Sequence, residues 1–205
     1  MIRAERVSGG IALSGDLAPD EIAYLDADWI AAPGPVPAAV VRAGVLHWVD
    51  GAALGAAEDA DAVAGAAFAA LAAEAAAAVP TAAAPVEVLG SGIVAEQVRR
   101  SLAPADGGGD QRPAAIVDAT GAPDALRDAT RRLDDLGTLV LVGEPAGRAM
   151  SLNLYQDVHV RGLRLVGVGR PRLGTAQAVD EPPVPVGLGA RLPPARWYRL
   201  SLDSG

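Results

Sequence analysis

The sequence predicts an α/β protein in which a parallel sheet carries helices on both faces and a small β-rich appendage precedes it. From residue 81 onward, short and continuous apolar runs alternate with helical segments, as in a parallel sheet covered on both sides. The first 55 residues instead contain short β-branched runs broken by glycine and proline. With 205 residues, 51% of them hydrophobic, the chain can bury a core; because aromatic residues are only 3%, that core is expected to consist of small side chains.

The N-terminal part reads as hairpins and turns. Apolar runs on either side of Ser8–Gly10 predict one hairpin, and runs on either side of Arg42–Gly44 predict a second. Three prolines and a glycine in Ala31–Pro37 predict a loop. Near the other end, Arg196–Leu202 alternates polar and apolar residues. We expect it to join the N-terminal sheet, because a lone strand would leave its backbone unpaired.

Helix formers dominate Asp59–Val79, and Pro80 ends that segment. The elements predicted after it are strand Val86–Leu89, helix Ile93–Leu102, strand Ala114–Asp118, helix Pro123–Leu133, strand Thr138–Val142 and strand Leu163–Val168. The stretch Arg170–Pro194 is rich in proline and glycine and predicts an irregular or extended arm.

These elements suggest four parts in the chain. They are a β-rich part over 1–55 that 195–203 joins, a connecting helix over 56–80, a truncated sheet domain over 81–170 and an arm over 171–194.

Composition excludes several kinds of chemistry. There is no cysteine, which rules out thiolate nucleophiles and cysteine-bound zinc, and all 17 basic residues are arginine, which rules out Schiff-base and P-loop lysines. A net charge of −8 with scattered arginines argues against nucleic-acid binding. No signal-peptide pattern begins the sequence and no apolar window reads as a spanning helix, so we expect a cytoplasmic protein without membrane contact.

One short motif carries chemistry. Gly90-Ser91-Gly92-Ile93-Val94-Ala95 fits G-x-G-x-x-A, follows an apolar strand and begins a helix. In a Rossmann-like fold such a turn brings the backbone close to a pyrophosphate, and the helix N-terminus attracts the phosphate charge. The motif therefore suggests NAD or NADP. The alternative is that the two glycines only close a strand-to-helix turn.

The later half resembles the nucleotide-binding half of medium-chain dehydrogenases/reductases, with the threonine, sorbitol and alcohol dehydrogenase branch the most similar. The pieces that carry the resemblance are "VDATGAPDAL", "LGTLVLVGEPAG" and "LNLYQDVHVRGLRLVGV", which occur in the family's order. Together with Pro85–Leu102 they cover roughly 75 residues. The resemblance implies a Rossmann-like domain shortened by about two strand–helix units, since only the glycine-rich loop Ala103–Pro113 lies where the family has them. We expect the loss to leave a sheet edge or face uncovered.

If a dinucleotide binds, the resemblance implies a defined set of contact residues, namely Gly90, Ser91, Gly92, Ile93, Asp118, Thr120, Gly121 and Gly143. The strand that should end in the ribose-binding acid is missing, and Asp110 falls in the glycine-rich loop. Asp118 could hold a ribose if its strand has moved next to the glycine-turn strand. Otherwise it is the ordinary strand-end aspartate of "VDATG".

No strong catalytic group emerges from the sequence. Glu144, Tyr155 and His159 are the candidates, with Glu144 as a general base if burial raises its pKa. His47 reads as a half-buried strand residue and His159 as a packing or capping residue near the sheet edge. Two distant histidines do not make a metal site, so we expect none.

The sequence therefore favours a degenerate dehydrogenase-like protein of a specialised biosynthetic pathway. We expect it to bind a small metabolite or peptide intermediate in a reduced cleft, with weak or no dinucleotide binding. The alternative is a zinc-independent, NAD(P)-dependent oxidoreductase acting on a small alcohol or ketone. The resemblance also implies a homodimer joined through Leu163–Val168.

Overall fold

The computed structural model describes residues 2–30, 34–35, 39–43, 45–48, 53–56, 59–102, 111–142, 151–169 and 179–202. Within them, a four-stranded parallel sheet carries helices on both faces, and a three-stranded and a six-stranded sheet are built mainly from short N-terminal strands. This is a shortened Rossmann-like α/β fold with additional small sheets, as the sequence predicts.

The parallel sheet has the strand order β11-β10-β9-β8. Its strands are β8 (Val86–Leu89), β9 (Ala115–Asp118), β10 (Thr138–Leu141) and β11 (Arg164–Gly167). The helices that accompany it are α1 (Ala60–Ala78), α2 (Ile93–Ser101) and α3 (Pro123–Arg132), together with a π-helix over Leu154–His159. The predicted strands and helices of this part are thus confirmed, with ends that differ by one or two residues; the π-helix was not predicted.

The two faces of the sheet have separate cores. Val117 and Val140 point toward α1 and α2 and pack with them in one cluster. Their neighbours Ile116 and Leu139 point the other way and pack with Leu133 at the end of α3. This alternation follows from the two-residue period of a strand.

The strands of the other two sheets are short. They are β1 (Arg3–Val7), β2 (Gly10–Ser14), β3 (Ile22–Asp26), β4 (Gly34–Pro35), β5 (Ala39–Arg42), β6 (Val45–His47), β7 (Ala53–Ala56), β12 (Val184–Val186) and β13 (Trp197–Leu200). One sheet has the order β2-β1-β4 and the other the order β12-β13-β3-β5-β6-β7. Both predicted hairpins are present, and β13 pairs antiparallel with β3, as expected.

One expectation for a loop is wrong, and the expected arm is partly a paired strand. Gly34 and Pro35, inside the expected Ala31–Pro37 loop, pair with β1. The expected irregular or extended arm contains β12, which pairs in parallel with β13 and buries Val186 in the core of the N-terminal sheets. In both cases tertiary pairing supplies backbone partners that a local reading of proline and glycine cannot reveal. The arm residues 171–178 are outside the described residues.

The core at the junction between the sheets is aromatic, contrary to the expectation of small side chains throughout. Trp29 packs against Trp48 and Phe68 with ring centroids 5.7 and 5.6 Å apart, and Phe68 packs against Trp197 at 5.8 Å. Phe68 belongs to α1, and the tryptophans belong to the N-terminal and C-terminal segments. The few aromatic residues are thus concentrated where the two parts of the fold meet, and each buries a large area there.

Helix α1 is long and apolar enough, by length and composition, to cross a membrane. Half of the residues in this apolar stretch of α1 are buried inside the fold, where α1 packs against α2 and the parallel sheet. The sequence predicts a connecting helix here and no spanning helix, whereas by length and composition α1 passes the test for one.

Candidate functional site

The glycine turn joins β8 to α2 as the motif predicts. Gly90 follows the last residue of β8 and has φ of +115°, a conformation that favours glycine. Gly92 is the N-cap of α2. Because glycine has no side chain, it cannot accept a hydrogen bond from the first amides of the helix. The first amides of α2 therefore need acceptors from elsewhere.

Acceptors for the amides of the glycine turn and for Val94 of α2 come from the end of β3 and the turn after it, in the six-stranded sheet, which is called the N-terminal sheet below. The Asp28 carboxylate accepts hydrogen bonds from the Ser91 amide at 2.8 and 2.9 Å, from the Ser91 hydroxyl at 3.1 Å and from the Gly92 amide at 2.7 Å. The Asp26 carboxylate accepts from the Val94 amide at 2.9 Å. A carboxylate at a helix N-terminus is stabilised by these donors and by the helix dipole, as a phosphate would be.

The remaining amide in this run, that of Ile93, donates to the carbonyl of Arg196 at 3.2 Å. The same carbonyl accepts from the Ala27 amide at 2.9 Å. Four consecutive amides, from Ser91 to Val94, are thus bound by groups of the same molecule.

The space beside the glycines is also filled by these carboxylates. A Cβ placed on Gly90 would lie 2.3 Å from Oδ2 of Asp28, and a Cβ on Gly92 would lie 1.9 Å from Oδ1 of Asp26. In a dinucleotide site, the second glycine lets the backbone approach the pyrophosphate. Here the same freedom lets the backbone approach two aspartates.

Asp26 is the most perturbed acid at this site. It is fully buried at the end of β3, and its Oδ1 also accepts from the Asp28 amide at 2.8 Å. Burial, followed by the nearby charge of Asp28, raises the pKa of Asp26 from 3.8 to about 7, against the opposing effect of the amides of Val94, Asp28 and Ile93.

Asp118 lies at the end of the strand next to the glycine-turn strand, since β9 pairs directly with β8. The positional condition for a ribose contact is therefore met. However, Asp118 is only 2% exposed, and its Oδ1 accepts from the Thr120 hydroxyl at 2.6 Å and the Thr120 amide at 2.9 Å. Burial raises the pKa of Asp118, while the bonds from Thr120 oppose the shift. The carboxylate organises the Thr120–Gly121 turn, where Gly121 has φ of +62°.

A side chain of the N-terminal part also covers the end of β9. The indole Nε1 of Trp29 donates to the carbonyl of Ala119 at 3.2 Å in a buried hydrogen bond. Trp29 follows Asp28 directly, so one short segment after β3 contacts both the glycine turn and the neighbouring strand end. That segment occupies the crevice at the carboxyl ends of the strands, where ligands of open α/β sheets bind.

The suggested catalytic residues are not brought to this crevice. Tyr155 and His159 are both exposed on the π-helix, with ring centroids 5.9 Å apart. The residues just after them lead to the amino ends of the strands, where the Leu136 amide donates to the carbonyl of Arg161 at 2.8 Å. The sequence predicts a packing or capping role for His159 near the sheet edge; its side chain is exposed and contacts Tyr155, and its carbonyl accepts from the Gly162 amide at 3.1 Å. Glu144 and Gly143 lie outside the described residues, as does Asp110.

His47 is half-buried in β6, as expected. Among the described residues, no group of three or more histidine, aspartate or glutamate side chains could hold a metal ion.

The outer edge of β8 is partly covered. The guanidinium of Arg99 on α2 donates to the carbonyl of Val88 at 2.9 Å and to that of Gly90. An arginine on the same helix thus satisfies backbone groups that an edge strand would otherwise present to solvent or to another strand.

Two grooves lie away from the glycine turn. One, of about 400 Å³, is formed where α1 ends and is lined by Val79, Thr81, Val86 and Leu102 among other small residues. The other, of about 230 Å³, lies between α1 and the segment before β12 and includes Gly65, Pro182 and Trp197.

Sequence reasoning missed Asp26, Asp28 and the carbonyl of Arg196. The available signal was "YLDADW", in which two aspartates end and follow a buried strand. That pattern is also typical of an ordinary polar turn, and nothing local connects it to a motif more than 60 residues away.

Comparison with known proteins gives likeness of fold at low identity. No family model and no curated protein matches the chain. Among solved structures, a dehydrogenase assigned as zinc-binding from Sinorhizobium meliloti 1021, bound to NADP, is 13% identical, with a TM-score of 0.46, over 84% of this chain and 85% of that one. L-idonate 5-dehydrogenase from Escherichia coli K-12 is 14% identical, with a TM-score of 0.45. The match covers 83% of this chain and 84% of that one.

A third structure is an alcohol dehydrogenase from Escherichia coli CFT073 in complex with NADH. It is 18% identical, with a TM-score of 0.44, over 66% of this chain, which spans 50% of that one. These three structures are named as dehydrogenases, and at this identity the likeness is one of fold alone.

Proposed function

We propose that this protein is a non-catalytic, dehydrogenase-like binding protein that uses its glycine turn to hold its own N-terminal sheet and not a dinucleotide. The observation that carries the proposal is the pair of carboxylates bound to amides of the glycine turn and of the first turn of α2. Asp28 binds Ser91 and Gly92, and Asp26 binds Val94. A pyrophosphate would need the same donors and the same space beside Gly90 and Gly92.

Charge strengthens this argument. Asp26, Asp28 and Asp118 lie close enough for the charge of Asp28 to contribute to raising the pKa of both other carboxyls. Bringing a doubly charged pyrophosphate to this group would add like charge to a partly buried acidic cluster, which is costly in a low-dielectric site. An anionic ligand is therefore disfavoured unless Asp28 moves away.

A small metabolite or peptide intermediate of a specialised biosynthetic pathway remains the ligand class we propose. Because the crevice above β8 and β9 is filled by Asp28 and Trp29, such a ligand would bind elsewhere. The described residues that line the groove near Val79 and Leu102 include no charged side chain, which suits a neutral ligand with an apolar surface.

We propose further that two copies pair through β11. This strand ends the parallel sheet, and the amides of Arg164 and Val168 point inward to the carbonyls of Gly137 and Leu141. By alternation, the amides of Leu165 and Gly167 point outward, where a second β11 could bind them. Leu165 is 38% exposed on this edge.

The experiment for the glycine turn is calorimetric titration of the wild-type protein with NAD⁺, NADH, NADP⁺ and NADPH. We expect no saturable binding up to about 1 mM. A dehydrogenase that binds NADPH serves as the positive control. Saturable binding with displacement of Asp28 from the Ser91 amide, seen as a chemical-shift change at Ser91 and Gly92, would overturn the proposal and favour the zinc-independent oxidoreductase.

A further inference from the structure

The junction between the N-terminal sheet and α2 depends on two carboxylates at the end of one strand. Asp26 is the last residue of β3, and Asp28 lies in the turn that follows. Their oxygens accept from the amides of Ser91, Gly92 and Val94, and a Cβ on either motif glycine would collide with them. The contact is therefore close, polar and partly inaccessible to water.

The charged groups around this pair offer it little compensation. On α2, Glu96 is bound to Arg196 at 2.7 Å, and Arg99 is engaged with backbone carbonyls of β8 and the turn. On β9 the facing group is Asp118, another acid. On α1, Asp61 is hydrogen-bonded to β3, because its carboxylate accepts from the Tyr24 hydroxyl at 2.6 Å. No ion pair within the described part of the chain includes Asp26 or Asp28.

We propose that Asp26 and Asp28 form a proton-sensitive latch, which holds the N-terminal sheet firmly on α2 while Asp26 carries a proton and loosens when both carboxyls are ionised. The inference rests on the proposed use of the glycine turn. Its test contains no nucleotide, so the latch and the proposed function can fail separately.

The direction follows from the carboxyl's environment. Burial and the charge of Asp28 raise the pKa of Asp26 to about 7, so the folded state holds this proton more tightly than the unfolded chain does. The contribution of Asp26 to stability is therefore fully present below its ordinary value of 3.8 and is lost as the pH rises toward 7. Above that pH, the buried Asp26 is charged beside the charge of Asp28, and the two repel each other.

Hydrogen exchange of single backbone amides measures the latch. Protection of the Ser91, Gly92 and Val94 amides would be followed by NMR at pH 6 and pH 8.5, after correction for the pH dependence of intrinsic exchange. We expect protection at these amides to fall by at least about threefold at the higher pH, while the Val117 amide in β9 changes little. An equal change at Val117 would indicate global unfolding and contradict the latch.

Two variants identify the carboxyl group that carries the proton. Asp26→Asn keeps the shape of the protonated carboxyl but cannot ionise, so we expect its latch amides to lose their pH dependence. Asp118→Asn is the matched control, and we expect it to retain the wild-type response. The same pH dependence in Asp26→Asn as in the wild type, or its loss only in Asp118→Asn, would refute the assignment.

If Asp26→Asn does not fold, the carboxyl carbon of Asp26 can be titrated in the wild-type protein by ¹³C NMR. A midpoint near neutral pH that coincides with the change in protection supports the latch. A midpoint near the ordinary value of an aspartate contradicts it.

Discussion

The Asp28 carboxylate binds the backbone amides of Ser91 and Gly92, residues that lie 63 and 64 positions further along the chain. This contact places an acid of the N-terminal sheet on the motif that elsewhere receives a phosphate. The glycines of the turn are thus required by the fold even if no cofactor binds. Two predictions test this role and the surroundings of the turn, and a third tests the proposed dimer.

Gly92→Ala should destabilise the protein although its backbone accepts alanine. Gly92 has φ of −71°, so strain would come only from the new Cβ, 1.9 Å from Oδ1 of Asp26. Displacing that buried carboxylate should cost about 1–3 kcal/mol in the free energy of unfolding, measured in urea. The cost should shrink in an Asp26→Ala background, because the two substitutions act on one contact.

Gly65→Ala is the matched control for that substitution. Gly65 lies inside α1, and a Cβ there would meet Val179 at 3.4 Å, which is ordinary contact. We expect Gly65→Ala to be neutral or to stabilise by about 0.5–1 kcal/mol, since alanine is the better helix former. If Gly92→Ala were also neutral, the close packing of Asp26 on the turn would be wrong.

Trp29→Phe should weaken the attachment of the N-terminal sheet to β9. The change removes the hydrogen bond from Nε1 to the carbonyl of Ala119 and leaves space beside Trp48 and Phe68. We expect a loss of about 1–3 kcal/mol in the free energy of unfolding. Tyr155→Phe, at a residue that is 74% exposed, should change this free energy by less than about 0.5 kcal/mol. Equal effects of the two substitutions would contradict the buried role of Trp29.

Leu165→Arg should separate the proposed dimer. The side chain lies on β11, the outer strand of the parallel sheet, where two arginines would face each other across paired edges. Light scattering after gel filtration should give the mass of two chains for the wild type and of one for the variant. Val7→Arg, at an exposed position on β1, is the control that should remain dimeric. A monomeric wild type at micromolar concentration would refute pairing through β11.

Locally encoded features were well predicted. Val86–Leu89 is the strand that its apolar run indicates, and the helix after Asp59 begins where the Asp59 carboxylate accepts from the Asp61 and Ala62 amides. Pro123 at the start of α3 and Pro80 after α1 mark helix ends for the same local reasons. The G-x-G-x-x-A motif, too, correctly indicated a strand, a tight turn and a helix.

Partners distant in the chain were not predicted. The short strand Val184–Val186 forms because β13 supplies its hydrogen bonds, and Gly34–Pro35 pairs because β1 lies beside it. Neither partner is visible in the local composition. The separation of Tyr155 and His159 from the glycine turn likewise depends on the path of the chain from β10 to β11.

The sequence by itself determined the alternating strands and helices, the turn at Gly90–Gly92 and the absence of cysteine and lysine chemistry, because these depend on residue type and short-range spacing. Only the tertiary structure decided what the turn holds. A helix N-terminus attracts any negative group of suitable size, and whether that group is a phosphate or the carboxylates of Asp26 and Asp28 depends on which distant segment packs there.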